Sequence, residues 1–228
     1  MSTSILSWNI FANVINLDWR TEQICRLIKE TSNDVVCLQE VLYNTWLIID
    51  QMLVKPGHYV SVFKNPYENN TSGRAYGEVI LVKPDVKLIS KSFAVLMSSE
   101  GRTCSFVDIV NSAGTELRIG TAHLESGQTP RIKSLRDLQI KSIKEELTKK
   151  PNWIWVGDSN IRGSHPDFNN DFVTVPTWHE NRFWAGKHSE AYDKTMTNQD
   201  VLSIVNIGAD KIDNKWLSDH DGIIVTMQ

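Results

Sequence analysis

The runs "VVCL" at 35–38 and "WIWV" at 153–156 contain no charged or amide side chain. A strand with one face in water alternates apolar and polar residues, whereas a strand covered on both faces reads as an unbroken apolar run. Both runs therefore suit central strands of covered sheets. Each also ends in groups that resist burial. The first leads into Gln39 and Glu40, and the second, within "WIWVGDSNIRG", into Asp158, Asn160 and Arg162.

The rest of the chain supplies the elements such sheets need. "SILSWNI" reads as a first strand, and Asp18 is placed to cap a helix over Trp19 to Thr31 that shows Ile24, Leu27 and Ile28 on one face. "DVVCLQEV" follows, then a second helix over Asn44 to Leu53. The middle is β-rich: "HYVSVF", "GEVILVK", "KLISKSFAVL", "TCSFVDIV" and "ELRIGTAHL", with "NSAGTE" as a hairpin turn between the last two. A third helix is expected over Arg131 to Lys149, with Ile132, Leu135, Leu138, Ile143 and Leu147 inward and a basic outer face. "NWIWVGD" and "DGIIVTM" complete the strands, while "NPYENNTSGRAYG" and the segment from Asn160 to Asn170 read as loops. Two packed sheets flanked by helices follow from this order.

With 228 residues, no repeat and no linker, one domain spanning 1–228 is expected. A net charge of −3 is not that of a polycation that coats nucleic acid, so any basic surface must be local. The three cysteines, Cys25, Cys37 and Cys104, lack CxxC spacing and suit a reducing compartment. Neither a membrane span nor a signal peptide is evident, and an intracellular, soluble, monomeric protein in nucleus or cytoplasm is expected.

Strand ends collect one kind of chemistry. "LSWN" ends in Asn9, "VCLQE" in Glu40 and "WVGDSN" in Asp158 and Asn160; "TAHLES" carries His123, and "LSDHDG" presents Asp219 and His220 before the last strand. Attack on a phosphodiester builds negative charge on its oxygens, which calls for a cation and directed donors. Mg2+ takes one or two carboxylates with water and substrate oxygens, and Glu40 is the candidate ligand. Asp158 and Asn160, two residues apart on an extended segment, would face the same way, the first accepting a proton from water and the second donating to phosphate or orienting the water. A protonated His220 would stabilise the transition state.

In this order, "SWN", "LQEV", "HLES", "GDSN" and "SDH" resemble the endonuclease/exonuclease/phosphatase superfamily. The resemblance implies a DNase I-like four-layer α/β sandwich with two central mixed sheets flanked by helices. It extends in "EGRTCSFVDI", "TAHLES" and "WVGDSNIR" to the members that hydrolyse bonds between protein tyrosine and a DNA 5′-phosphate, as left by a trapped topoisomerase II. It implies Mg2+, with Mn2+ as a substitute, bound by Glu40 near Asn9; Asp219 is a candidate further ligand or a hydrogen-bond partner. It further implies that Asp158 and Asn160 handle water and phosphate, that Asp193 orients His220, and that Arg102 and His123 meet phosphate. Ser126 and Arg162 would line the DNA path and Trp178 would stack on the terminal base; RNA-linked tyrosine is a further expected substrate. The chain departs from the family pattern at Phe11 and Gly163, where acidic residues are usual, at "AYDK", which lacks an arginine, and at Asp221. The alternatives are another phosphoesterase of this fold, acting on abasic or plain nucleic acid, RNA, small molecules or lipids, and a non-catalytic adaptor.

Overall fold

The computed structural model describes residues 2–66, 68, 75–111, 114–168, 176–183 and 188–228. Parts of the expected loop at 65–77, the turn at 111–116 and the loop at 160–170 lie outside the described residues.

Two mixed sheets pack face to face. In chain order the strands are β1 (Thr3–Asn9), β2 (Val35–Leu42), β3 (Val60–Ser61), β4 (Tyr76–Val82), β5 (Lys87–Val95), β6 (Thr103–Val110), β7 (Glu116–His123), β8 (Trp153–Asp158), β9 (Trp178–His179), β10 (Ser189–Glu190), β11 (Asp193–Thr197), β12 (Val201–Ile207) and β13 (Gly222–Met227). One sheet runs β12-β13-β1-β2-β4-β3 and the other β11-β8-β7-β6-β5, while β9 and β10 form a separate small pair. β1 is parallel to β2 and β7 to β8; every other pairing is antiparallel.

Three apolar layers explain why the central strands have no polar face. Ile5, Val35, Cys37, Ile154 and Val156 point into the core between the sheets. Their neighbours Leu6, Trp8, Val36 and Leu38 point outward onto helices α1 (Leu17–Thr31) and α2 (Tyr43–Ile49). Trp153 and Trp155 point outward on the other sheet, to α3 (Pro130–Leu147) and its Ile140 and Ile143. Helix, sheet, sheet and helix make the four layers.

Several local expectations are corrected. Asp18 lies inside the first turn of α1, and the cap position is Asn16, in a left-handed conformation with no side-chain cap bond. The second helix closes with a π-helical turn over Asp50–Val54. "HYVSVF" contributes only the two residues of β3. On α3, Leu138 is exposed, and the positions it was expected to fill are taken by the buried Arg136 and Gln139. Arg136 is inward because its guanidinium donates to the Glu125 and Gly127 carbonyls, fastening the loop that follows β7.

The topology puts the polar strand ends on one edge. Parallel strands β1, β2, β7 and β8 finish there, and the antiparallel β11 and β13 begin there. Asp158 is thus in register with both His123 and Asp193.

Candidate active site

Glu40 reaches this edge through an irregularity. The β2–β4 register shifts between Leu38 and Val41, and Glu40 has φ of 60°, the left-handed region. A bulge of this kind re-aims a side chain at a cost of about 1–3 kcal/mol for a non-glycine residue, and such strain is typical of functional positions. The carboxylate is gripped from both sides: Oε1 accepts from Asn9 Nδ2 at 3.1 Å and Oε2 from the Ala12 N–H at 2.7 Å. Beneath it Gln39 Nε2 donates to Ser7 Oγ and Thr121 Oγ1, tying the two sheets together under the site.

Gly157 brings β8 close to β7. A side-chain carbon there would lie 2.2 Å from the Ala122 carbonyl oxygen, so only glycine permits this approach one residue before Asp158. Asp158 is buried and accepts from Asn9 Nδ2 and from the Asn160 N–H, both at 2.9 Å. Two imidazoles face it, His123 Nε2 at 3.4 Å and His220 Nε2 at 3.6 Å. His123 Nδ1 is in turn 3.6 Å from Glu40 Oε1, so this ring spans both carboxylates.

His220 is held by Asp193, whose Oδ2 lies 2.7 Å from His220 Nδ1. Burial by itself would lower the His220 pKa, but the charges of Asp193, Asp158 and Asp219 outweigh it and hold the ring up at about 10. Burial pushes Asp158 up, with His220 working against that shift, and burial likewise lifts Asp219 to about 6. The result is an imidazolium fixed among carboxylates, its Nε2–H directed toward Asp158.

These groups line an open cleft of about 270 Å³, together with Tyr76, Arg102, Ser126, Trp178 and Tyr192. Arg102 is buried and pairs with Glu100 through Nη2, while its buried Nε and Nη1 have no hydrogen-bond partner among the described residues. Ser126 Oγ donates to Glu100 as well. Trp178 Nε1 donates to Asp219 Oδ2 at 3.0 Å, and its ring stands 5.4 Å from that of Tyr192.

The donor set suits a hard cation. Among the described residues no cluster of three or more His, Cys, Asp or Glu forms a metal cage. Mg2+ needs no such cage, since one or two carboxylates suffice when water and substrate oxygens complete the shell. Glu40, with its side chain 19% exposed at the cleft, and Asp219 beside it meet that requirement.

The model of the Endonuclease/Exonuclease/phosphatase family matches residues 6–220. The chain belongs to this family. Among curated proteins it is 30% identical to tyrosyl-DNA phosphodiesterase 2 of Gallus gallus over 72% of the chain and 42% of that relative. It is 28% identical to that of Homo sapiens over 70% and 42%. The match thus spans less than half the length of these relatives. Among solved structures, D. rerio TDP2 complexed with single strand DNA product superposes with a TM-score of 0.84 at 21% identity, covering 100% of this chain and 99% of that one. The endonuclease/exonuclease/phosphatase from Bacteroides vulgatus superposes at 0.80 with 17% identity, covering 100% and 99%. The four-layer fold is that of these neighbours.

The fold brings Asn9, Glu40, His123, Asp158, Asn160, Asp193, Asp219 and His220 together, with Arg102, Ser126 and Trp178 around them. Two expectations change. Asp158 and Asn160 do not share an extended segment: β8 ends at Asp158 and Asn160 has φ of 53°. The Asn160 Nδ2 donates to the Leu124 carbonyl, so its amide braces the cleft wall. Arg162 lies outside the cleft, in an adjoining pocket of about 370 Å³ with Gln128 and Lys133, where its Nε donates to the Tyr192 hydroxyl.

Arg20 was not legible as part of the site. It is 1% exposed and donates to five carbonyls, those of Ile10, Phe11, Asn13, Ile15 and Leu217, so it shapes the loop that carries the Ala12 N–H to Glu40. Burial lowers its pKa to about 10, with Asp219 and Glu40 opposing. Phe11 has a structural role at its position: its ring packs on Phe183 at 4.7 Å and against the Arg20 guanidinium, while its N–H holds Asn9 Oδ1. Tyr76 and Tyr192 were also missed, although "AYDK" placed a tyrosine directly before Asp193.

Proposed function

We propose that this chain is a divalent-metal-dependent phosphodiesterase that hydrolyses the bond between a protein tyrosine and a DNA 5′-phosphate, clearing trapped topoisomerase II adducts. The observation that carries the reading is the cleft itself, in which a buried carboxylate–imidazolium pair and the Arg102 guanidinium meet aromatic walls of Tyr76, Trp178 and Tyr192. A phosphate fits the first set and a base or tyrosine ring fits the second. The relatives named for this activity support the substrate.

Glu40, with Asp219, would hold the Mg2+, for which Mn2+ could substitute; bound there, the ion would supply positive charge to a phosphate oxygen. Asp158 orients the attacking water and takes its proton, a role its contacts with Asn9 and Asn160 keep rigid. Asn9 Nδ2, shared between Glu40 and Asp158, fixes the spacing of those two carboxylates. Asp193 pins the His220 ring by Nδ1, so that Nε2–H serves the developing charge on phosphorus oxygens. Arg102, in the cleft wall, supplies positive charge to the phosphate, and Trp178 stacks on the terminal base, worth ~1–3 kcal/mol.

The test is incubation with Mg2+ and a 5′-phosphotyrosyl oligonucleotide beside plain, abasic and RNA strands and an RNA-linked tyrosine. Release of tyrosine from the first at a rate above the others is expected. A properly folded chain that releases none, or that prefers an abasic or plain strand, overturns the assignment.

A further inference from the structure

The Trp178 wall of the cleft sits on β9, a strand of only two residues. Among the groups that hold it in place is Asp221, a buried carboxylate that the reaction itself does not use. Asp221 is 2% exposed and directly follows His220. Its N–H donates to the Thr177 carbonyl at 2.6 Å, its Oδ2 lies 3.2 Å from His179 Nε2, and its Oδ1 pairs with the Arg182 guanidinium. The His179 N–H donates to the Asp219 carbonyl at 2.8 Å, and its Nδ1 lies 3.1 Å from Ser189 Oγ on β10. Both neighbours of Trp178 in the chain are therefore fastened to the 219–221 segment, and Trp178 itself bridges to His220.

Arg182 anchors the far side. It donates to the Ser218 carbonyl and lies over the Trp216 ring at 4.5 Å. A buried carboxylate needs compensation, and Asp221 has it from His179 within β9, at hydrogen-bond distance, and from Arg182 in the turn that follows, as an ion pair. We propose that Asp221 is a positioning residue: through His179 and Arg182 it fixes β9, so that Trp178 stands ready over the cleft, and nucleic-acid binding rather than the chemical step depends on it. The gain is pre-organisation, since a wall already in place loses no freedom when substrate arrives. The inference rests on the reading above only in taking Trp178 as a nucleic-acid contact.

The experiment is a double-mutant cycle on the full chain with Asp221→Ala, Trp178→Ala and the pair, with Asp221→Asn as a milder variant. Binding of a labelled 5′-phosphorylated single strand is read by anisotropy and tyrosine release by steady-state kinetics. Asp221→Ala is expected to weaken Kd and raise KM by about tenfold with kcat changed less than about threefold, and to add less than about twofold to Kd in the Trp178→Ala background, as expected for coupled residues. Asp221→Asn keeps an acceptor for His179 and should fall between. Additive Kd effects, an unchanged Kd, or a kcat loss at constant KM overturn the proposal, and if Asp221→Ala does not fold, Asp221→Asn is judged by the same criteria. If the wild type binds the strand yet releases no tyrosine, the phosphotyrosyl assignment falls and the cycle is read on Kd alone. If it binds no strand, amide exchange decides: the His179 N–H should exchange at least about tenfold faster in Asp221→Asn, and equal exchange removes the clasp.

Discussion

Replacing Asp158 by asparagine separates chemistry from stability, because the two effects oppose each other at this residue. The side chain is 1% exposed, and Oδ2 and Oδ1 each accept a hydrogen bond at 2.9 Å, from Asn9 and from the Asn160 N–H. An asparagine amide turned either way presents its NH2 to one of those donors. One bond is therefore lost and a donor left facing a donor, at about 1–3 kcal/mol. Against this, burial raises the Asp158 pKa, which means that its charge destabilises the fold at neutral pH and that neutralising it gives free energy back. The net change should stay within about 2 kcal/mol, or less than about 8 °C in Tm for a chain of this size. Turnover loses its proton acceptor and should fall by about 10²–10⁴-fold. Tyrosine release and thermal melting, measured on one preparation, check both numbers. A rate within about tenfold of wild type, or a loss of activity that merely tracks unfolding, would refute the assignment of Asp158 as the base.

Glu40→Gln keeps the shape but removes the charge that receives Mg2+; calorimetric titration should show Mg2+ affinity reduced by at least about tenfold, with activity lowered by about 100-fold or more. Gly157→Ala drives a methyl carbon into the Ala122 carbonyl, 2.2 Å away, and urea unfolding should show a loss of about 3 kcal/mol or more as β7 and β8 are forced apart. Asp108→Asn breaks the buried pair in which Arg118 Nε meets Asp108 Oδ1 at 2.7 Å, and should cost about 3–5 kcal/mol at neutral pH. Burial would raise the Asp108 pKa, but the Arg118 hydrogen bonds and charge hold it below the usual value. Its contribution is therefore full above the ordinary aspartate pKa and vanishes as pH falls through the lower folded one. Denaturant curves from pH 7 down to about 2 should show the two proteins converging only at the acid end, and a constant gap would refute the linkage.

What local patterning carries was readable without coordinates. Unbroken apolar runs such as 35–38 and 153–156 suit covered strands, and the polar residues ending strand-like runs mark sheet edges; that singled out Asn9, Glu40, Asp158 and His220. The geometry among them was not readable. The left-handed Glu40 comes from a register shift against β4, and the turn at Asn160 cancels the same-face argument for it and Asp158. The buried Arg136 on α3 looked like one more surface cation because its carbonyl partners lie in a loop nine and eleven residues earlier.

The central strands, the identity of the reactive groups and the glycine before Asp158 were determined by the sequence itself, because hydrophobic periodicity acts between near neighbours, whereas the edge strands β11 and β12, and the small pair β9 and β10, were not read from it. Which groups pair was decided only by the tertiary structure. Asp193 meets His220 across 27 positions, Asn9 meets Asp158 across 149, and Arg20 reaches Leu217 across 197. Pairings at such separations depend on how two sheets stack. Within that stack, a buried charge or amide is stable only where the packing happens to supply its partner.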